Sequence, residues 1–237
     1  MIMKKNLLLL TAVSLLGLTT MAQVKPSTNR GGLIIKGGVN SANITINESG
    51  SVDDAKALTS FHVGAVLDLP LGEGVSLQPG LFYTGKGSKT QSGQETSNSY
   101  YKATSNPMYV ELPVNLVGKI PLSGESNFFF GAGPYAAMGV AGKNKTEGKV
   151  FGVAFKSEND IVYSNDDPTT SQEENVGYGK IKKFDYGFNV MTGVDFGKLS
   201  LGANYGYGLA KLNSGSTNSA NDKNKNRVLS FSVGVKL

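Results

Sequence analysis

His62 is the only histidine in the chain. A histidine with a carboxylate partner makes a general base, and adding a serine makes a nucleophilic triad. Asp68 has the same strand parity as His62. Six residues at about 3.3 Å each put it about 20 Å away, so the two form no dyad. No Ser-His-Asp arrangement and no paired carboxylates are legible, so no residue is assigned a catalytic role. His62 is expected to make hydrogen bonds in the interior or at its rim.

Ion pairing is the other chemistry the residue types offer. Lys36, Asp68, Lys86, Glu111, Asp185, Asp195 and Lys236 fall on the small, polar side of alternating segments. Lys36, Asp68 and Lys236 are expected to gather near one end of the sheet, and Lys86 and Glu111 near the other. Asp185 and Asp195 add acids from a further strand. Charges enclosed in a narrow interior need partners, which predicts a filled lumen crossed by salt bridges. A narrow hydrated pore lined by the same groups is the competing reading.

Metal chemistry has little support. There is no cysteine, which excludes Cys-based metal sites. The acids Glu158, Asp160, Asp166, Asp167, Glu173 and Glu174 match no calcium-loop spacing, so they read as a solvated loop. No metal and no cofactor are expected. Tyr100 and Tyr101 stand in a polar stretch where a partner could touch them.

Alternating strands must position these groups. In the last eleven residues Leu229, Phe231, Val233, Val235 and Leu237 point one way, and Ser230, Ser232, Gly234 and Lys236 the other. An apolar strand ending the chain needs a partner, and pairing with the first strand closes a barrel. Eight such segments are legible, at about 33–43, 60–71, 75–87, 108–120, 127–142, 183–196, 199–212 and 227–237. The links between them alternate in length. Gly72-Glu73-Gly74, 123–126 and Gly197-Lys198 are short; 44–59, 88–107, 143–182 and 213–226 are long and polar. All short turns then lie at one end and all long loops at the other, as in outer-membrane barrels with short periplasmic turns. Within the third long loop, 149–156 could extend a strand or form a hairpin.

Face chemistry decides between a soluble and a membrane barrel. The polar face is crowded with glycine, including Gly64, Gly80, Gly131, Gly133, Gly187, Gly193, Gly202, Gly206 and Gly208. Water needs no such small residues, whereas the lumen of an eight-stranded barrel does. The large apolar residues then face lipid. Phe61, Tyr83, Phe184, Tyr186, Tyr205 and Tyr207 form one aromatic belt, and Phe128, Phe130 and Phe196 the other. Prolines cannot donate to a ladder, so bulges or missed hydrogen bonds are expected at Pro79, Pro113 and Pro134. The soluble ligand-binding barrel is the reading this displaces.

Composition agrees. Charged residues make up 17% of the chain, against about 25% in soluble domains. Glycine, 31 of 237 residues, is about twice its usual share of about 7%. Residues 1–22 read as a signal peptide, with Lys4 and Lys5 before a short apolar run. Their loss lowers the net charge from +5 to +3, since two lysines leave and no acid does. With that mild, scattered charge no nucleic-acid partner is expected. Residues 23–32 are then a short N-terminal periplasmic segment and 33–237 the barrel.

Three segments carry a resemblance. Leu77-Gln78-Pro79-Gly80-Leu81-Phe82-Tyr83, Tyr109-Val110-Glu111-Leu112-Pro113-Val114 and Gly131-Ala132-Gly133-Pro134-Tyr135 resemble the outer-membrane β-barrel family called PorT-like or "porin family". The motif residues are Gln78, Pro79, Gly80, Glu111, Pro113, Gly133 and Pro134. The resemblance spans about 33–237 and implies an outer-membrane barrel but no single activity, some members being linked to protein secretion. The expectation is a non-enzymatic, eight-stranded antiparallel transmembrane β-barrel of the cell outer membrane, with both termini periplasmic. Its partners are outer-membrane lipid and, through the long loops, other envelope or secretion proteins. A narrow porin-like channel and an accessory barrel in secretion remain open as alternatives.

Overall fold

A computed structural model describes residues 31–44, 55–163, 180–212 and 225–237. The proposed signal peptide and most of the segment 23–32 lie outside the described residues, as do Asp166, Asp167, Glu173 and Glu174. In chain order the strands are β1 (Gly32–Ile44), β2 (Ala55–Lys56), β3 (Leu58–Gly72), β4 (Val75–Gly85), β5 (Ser88–Ser92), β6 (Tyr100–Pro121) and β7 (Ser126–Val150). There follow β8 (Val153–Asp160), β9 (Val162–Tyr163), β10 (Lys180–Ile181), β11 (Phe184–Phe196), β12 (Leu199–Gly208) and β13 (Asn226–Lys236).

Eight long strands form an antiparallel ring in the order β1, β3, β4, β6, β7, β11, β12, β13. It closes where β13 runs against β1, from Ile34↔Lys236 to Ile44↔Asn226. The last strand thus has a partner on each side, and the sheet within the ring has no open edge. Three tight turns join β3 to β4, β6 to β7 and β11 to β12. Each carries a glycine at positive φ: Gly74 at 69°, Gly124 at 62° and Gly197 at 59°.

Side-chain burial is inverted relative to a soluble protein. Asn40, Asp68, Asp185 and Asn226 are almost completely buried, while Val39, Phe61, Leu112, Phe188 and Phe231 are each about half exposed on the outer wall. An apolar band of that extent would be a large exposed patch in water; in lipid it is the solvated surface. This excludes the soluble barrel.

The prolines act on one side each. The β3–β4 ladder skips from Val66↔Gly80 to Leu69↔Leu77, omitting the pair that would contain Pro79. The β4–β6 ladder skips from Pro79↔Val114 to Phe82↔Glu111, omitting the pair of Pro113. The β6–β7 ladder skips from Pro113↔Tyr135 to Leu116↔Ala132, omitting the pair of Pro134. On its other side each proline stays in register, as in Phe188↔Pro134. In an antiparallel strand a residue's N–H faces one neighbour only, so a missing N–H opens one ladder. The three gaps run diagonally across neighbouring strands. The bulges lie elsewhere, at Pro70/Gly72 and Met108/Tyr109.

The main departure from the sequence reading is at the long-loop end. Much of 88–107 and 143–160 is strand rather than loop. β6 and β7 stay paired from Tyr100↔Lys149 through Asn106↔Lys143, beyond the bulge. β5 and β2 join on one flank and β8 on the other. The β7–β8 hairpin turns at Phe151 (φ 48°) and Gly152 (φ 82°), two positive values that suit a tight hairpin. Conversely, β12 stops at Gly208 rather than 212.

Candidate functional site

The lumen holds the polar chemistry, beginning at the long-loop end with Lys86. Its backbone N–H donates to the Pro107 carbonyl at 2.9 Å, fixing the residue just beyond β4. Its ammonium lies 2.6 Å from Glu111 Oε2 and 2.9 Å from Asp185 Oδ2. Glu111 and Asp185 are both in register with Ala137, from opposite sides of β7, and this small residue leaves room for the lysine between them. Tyr135 donates its hydroxyl to Asp185 at 3.2 Å, and Asn226 donates its amide to the same oxygen at 3.0 Å. The ammonium also sits 3.9 Å from the Tyr135 ring centroid, a cation–π contact. One cation here serves two buried carboxylates.

Beside this cluster, Asn40 organises a neutral network. Its Oδ1 accepts from Ser230 at 2.8 Å and lies 2.7 Å from His62 Nδ1. Its amide donates to Thr84 at 2.9 Å and to the Gly85 carbonyl at 2.9 Å. An oxygen facing Nδ1 assigns the proton to that nitrogen. His62 is therefore held by an asparagine, and among the described residues no carboxylate hydrogen-bonds to it.

At the short-turn end the centre is Asp68. Lys119 pairs with its Oδ2, Lys236 lies 3.7 Å from the same oxygen, and Gln78 donates to Oδ1 at 3.1 Å. The sequence reading missed Lys119, although its odd number places it on the inward parity of Glu111, Pro113, Asn115 and Val117. It also missed Tyr135 and Asn226. Lys36 and Asp195, expected to share in ion pairing, form no ion pair among the described residues; Lys36 instead lies 5.6 Å from the Phe129 ring centroid.

Between the two charged ends lies a cavity of about 80 Å³. Among the motif residues, Gln78, Glu111 and Pro113 line it. At Gly133 an added Cβ would collide with the Val114 carbonyl and Asn115 Cα, so β6 and β7 approach too closely there for any side chain. At Gly80 a Cβ would meet only the Phe82 ring edge, the Ala65 carbonyl and a Val66 methyl at 3.0–3.2 Å. Among the described residues no group of three or more His, Asp or Glu could hold a metal ion.

Outside the ring, the strand extension carries exposed charge pairs. Lys102 lies 3.0 Å from Glu95 and 2.8 Å from Glu147. Glu158 accepts from Lys143 at 2.6 Å and Lys145 at 3.2 Å. The hydrogen bond from Lys102 holds the Glu147 carboxyl below its ordinary value, and those from Lys143 and Lys145 do the same for Glu158.

Solved structures with likeness to the chain include Neisserial surface protein A, 14% identical over 88% of this chain and 100% of its own, with a TM-score of 0.38. The attachment invasion locus protein Ail of Yersinia pestis, solved with the heparin analogue sucrose octasulfate, is 13% identical over 88% and 99%, with a TM-score of 0.39. OprG from Pseudomonas aeruginosa is 11% identical over 87% and 93%, with a TM-score of 0.38. Comparison with curated proteins yields no match. Residues 21–214 match the family described as outer membrane protein beta-barrel domain; with its closed ring, apolar outer wall and polar lumen, the chain belongs to that family.

Proposed function

We propose that this chain is a non-enzymatic outer-membrane barrel with a closed lumen, acting in envelope structure and in contacts made by the sheet at its long-loop end. The observation that carries this reading is the Lys86–Glu111–Asp185 cluster, a buried, hydrogen-bonded bridge between non-adjacent walls. Asp68 with Lys119 and Lys236 supports it from the other end. Such clusters stay together because separating them leaves charge unpaired in a poorly solvated space. The topology supports short turns on the periplasmic side and the extended strands outside. Residues 1–22 are the proposed signal peptide and 23–32 a periplasmic lead into β1.

The cavity of about 80 Å³ favours one second reading, a narrow solute channel. The resemblance of the proline motifs to the PorT-like family supports, as a further alternative, an accessory role in secretion. Single-channel recording of the refolded protein, with a heat-modifiable gel shift to certify folding, tests the main reading. A folded and silent barrel is expected. Discrete, reproducible conductance steps would replace the closed lumen with a channel.

A further inference from the structure

We propose that the mid-lumen cavity is a binding site for a small monovalent anion, of halide to acetate size, centred on the ammonium of Lys36. Lys36 projects inward from β1 at a position flanked by Gly64 of β3 and Gly234 of β13. Its residue exposure is 8%. Lys86, the other buried lysine among the described residues, reaches two carboxylates, and Lys119 and Lys236 both reach Asp68. Lys36 alone among these four has no carboxylate within ion-pairing distance among the described residues. Asp68 is already engaged by Lys119, Lys236 and Gln78, and Asp195 acts on Lys36 only at longer range. A buried ammonium with no carboxylate in direct contact is costly, and a counter-ion lowers that cost.

The surroundings fit an anion better than a cation. Ser232 lines the same cavity and brings a hydroxyl donor. Near this end of the lumen the cations are Lys36, Lys119 and Lys236, and the acids are Asp68 and Asp195, three against two. Glu111 also lines the cavity, but it lies 2.6 Å from Lys86, a cation it shares with Asp185. A water occupies about 10–15 Å³ on this scale, so about 80 Å³ holds one small anion and several waters. Such a water would also serve Asn115 Oδ1, buried at the cavity wall with no protein partner.

The site is tested on the full mature barrel, refolded in detergent. Wild-type crystals grown in sodium bromide should show anomalous density within about 3.5 Å of Lys36 Nζ. In solution, the unfolding midpoint is measured in chloride, acetate and gluconate at one ionic strength, gluconate being too large for the cavity. Chloride and acetate should raise it by about 3–5 °C for each tenfold increase above the dissociation constant, and gluconate should not. In Lys36→Met the anion dependence should vanish. Absence of bromide density at Lys36, density that persists there in Lys36→Met, or midpoints indifferent to the anion would each overturn the site. If Lys36→Met does not fold, the wild-type bromide map still decides. Conductance is read separately, so failure of this site and failure of the closed-lumen reading are distinguishable.

Discussion

Lysine–carboxylate pairs occur in two settings here, and the distances hardly differ. Lys86 meets Glu111 at 2.6 Å inside the ring; Lys102 meets Glu147 at 2.8 Å on the strand extension outside it. The side chains of the first pair are 4% and 12% exposed, those of the second 19% and 39%. Inside, each charge has given up water and depends on its partner, so removing one member strands the other. Outside, water and salt replace a lost partner at little cost. Surroundings, not geometry, set the energy.

The sharpest way to break this comparison is Lys86→Met. It leaves Glu111 and Asp185 facing each other without a cation, and should destabilise the barrel by about 3–5 kcal/mol. Urea unfolding in lipid vesicles, followed by the gel shift, measures it. A loss no larger than that of Lys102→Met would end the distinction between inside and outside.

Asp68→Asn should come second, at about 1–3 kcal/mol. It removes the acid shared by Lys119 and Lys236, but these lysines retain 16% and 32% side-chain exposure and can turn toward water. Glu111→Gln should cost still less, about 1 kcal/mol. Lys86 keeps Asp185 at 2.9 Å, the amide oxygen can still accept from the ammonium, and the surplus negative charge is gone. If Glu111→Gln proves as damaging as Lys86→Met, Glu111 rather than Asp185 is the essential partner. The same unfolding series ranks all three.

Strand parity made the fold legible, and its limits explain what was not. Alternation such as Phe184-Asp185-Tyr186-Gly187 tells which wall a residue faces, and linker lengths tell which end it lies near. Neither gives position around a closed ring. That Lys86 would reach Asp185, 99 residues on, follows from both acids flanking Ala137, which depends on register. Lys119 is hard to read for a similar reason: parity turns it inward from β6, but only the register through β4 brings it to Asp68 on β3. Each proline announced a broken ladder, but only the pairing shows that the break falls toward the preceding strand. The extensions of β6 and β7 read as loop because 100–106 and 143–149 are polar on both faces, the expected pattern where a sheet leaves lipid for water.

The smallest effect should come from acidifying the extension. Glu147 and Glu158 are held below the ordinary value of 4.5 by hydrogen bonds from Lys102 and from Lys143 and Lys145. A carboxyl whose folded value is depressed contributes above its unfolded value, and that contribution is lost as pH falls through the folded one. The cross-strand ladder should therefore hold at neutral pH and loosen progressively below about pH 4.5. Lys102 is shifted upward by its bonds to Glu147 and Glu95, so its contribution is complete below its ordinary value of 10.5 and no loss comes from it on the acid side. Amide exchange across the β7–β8 pairing, compared at pH 6 and pH 3 after correction for intrinsic rates, should show protection falling there. The ring strands β11 and β12, held by a full ladder on each side, should keep theirs. Raising the salt at pH 6 should imitate part of the acid effect on the extension, because those charges stand in water, and should leave the Lys86 cluster untouched. Unchanged β8 protection under both treatments would mean that backbone pairing alone holds the extension, and that its charges serve solubility or recognition rather than order.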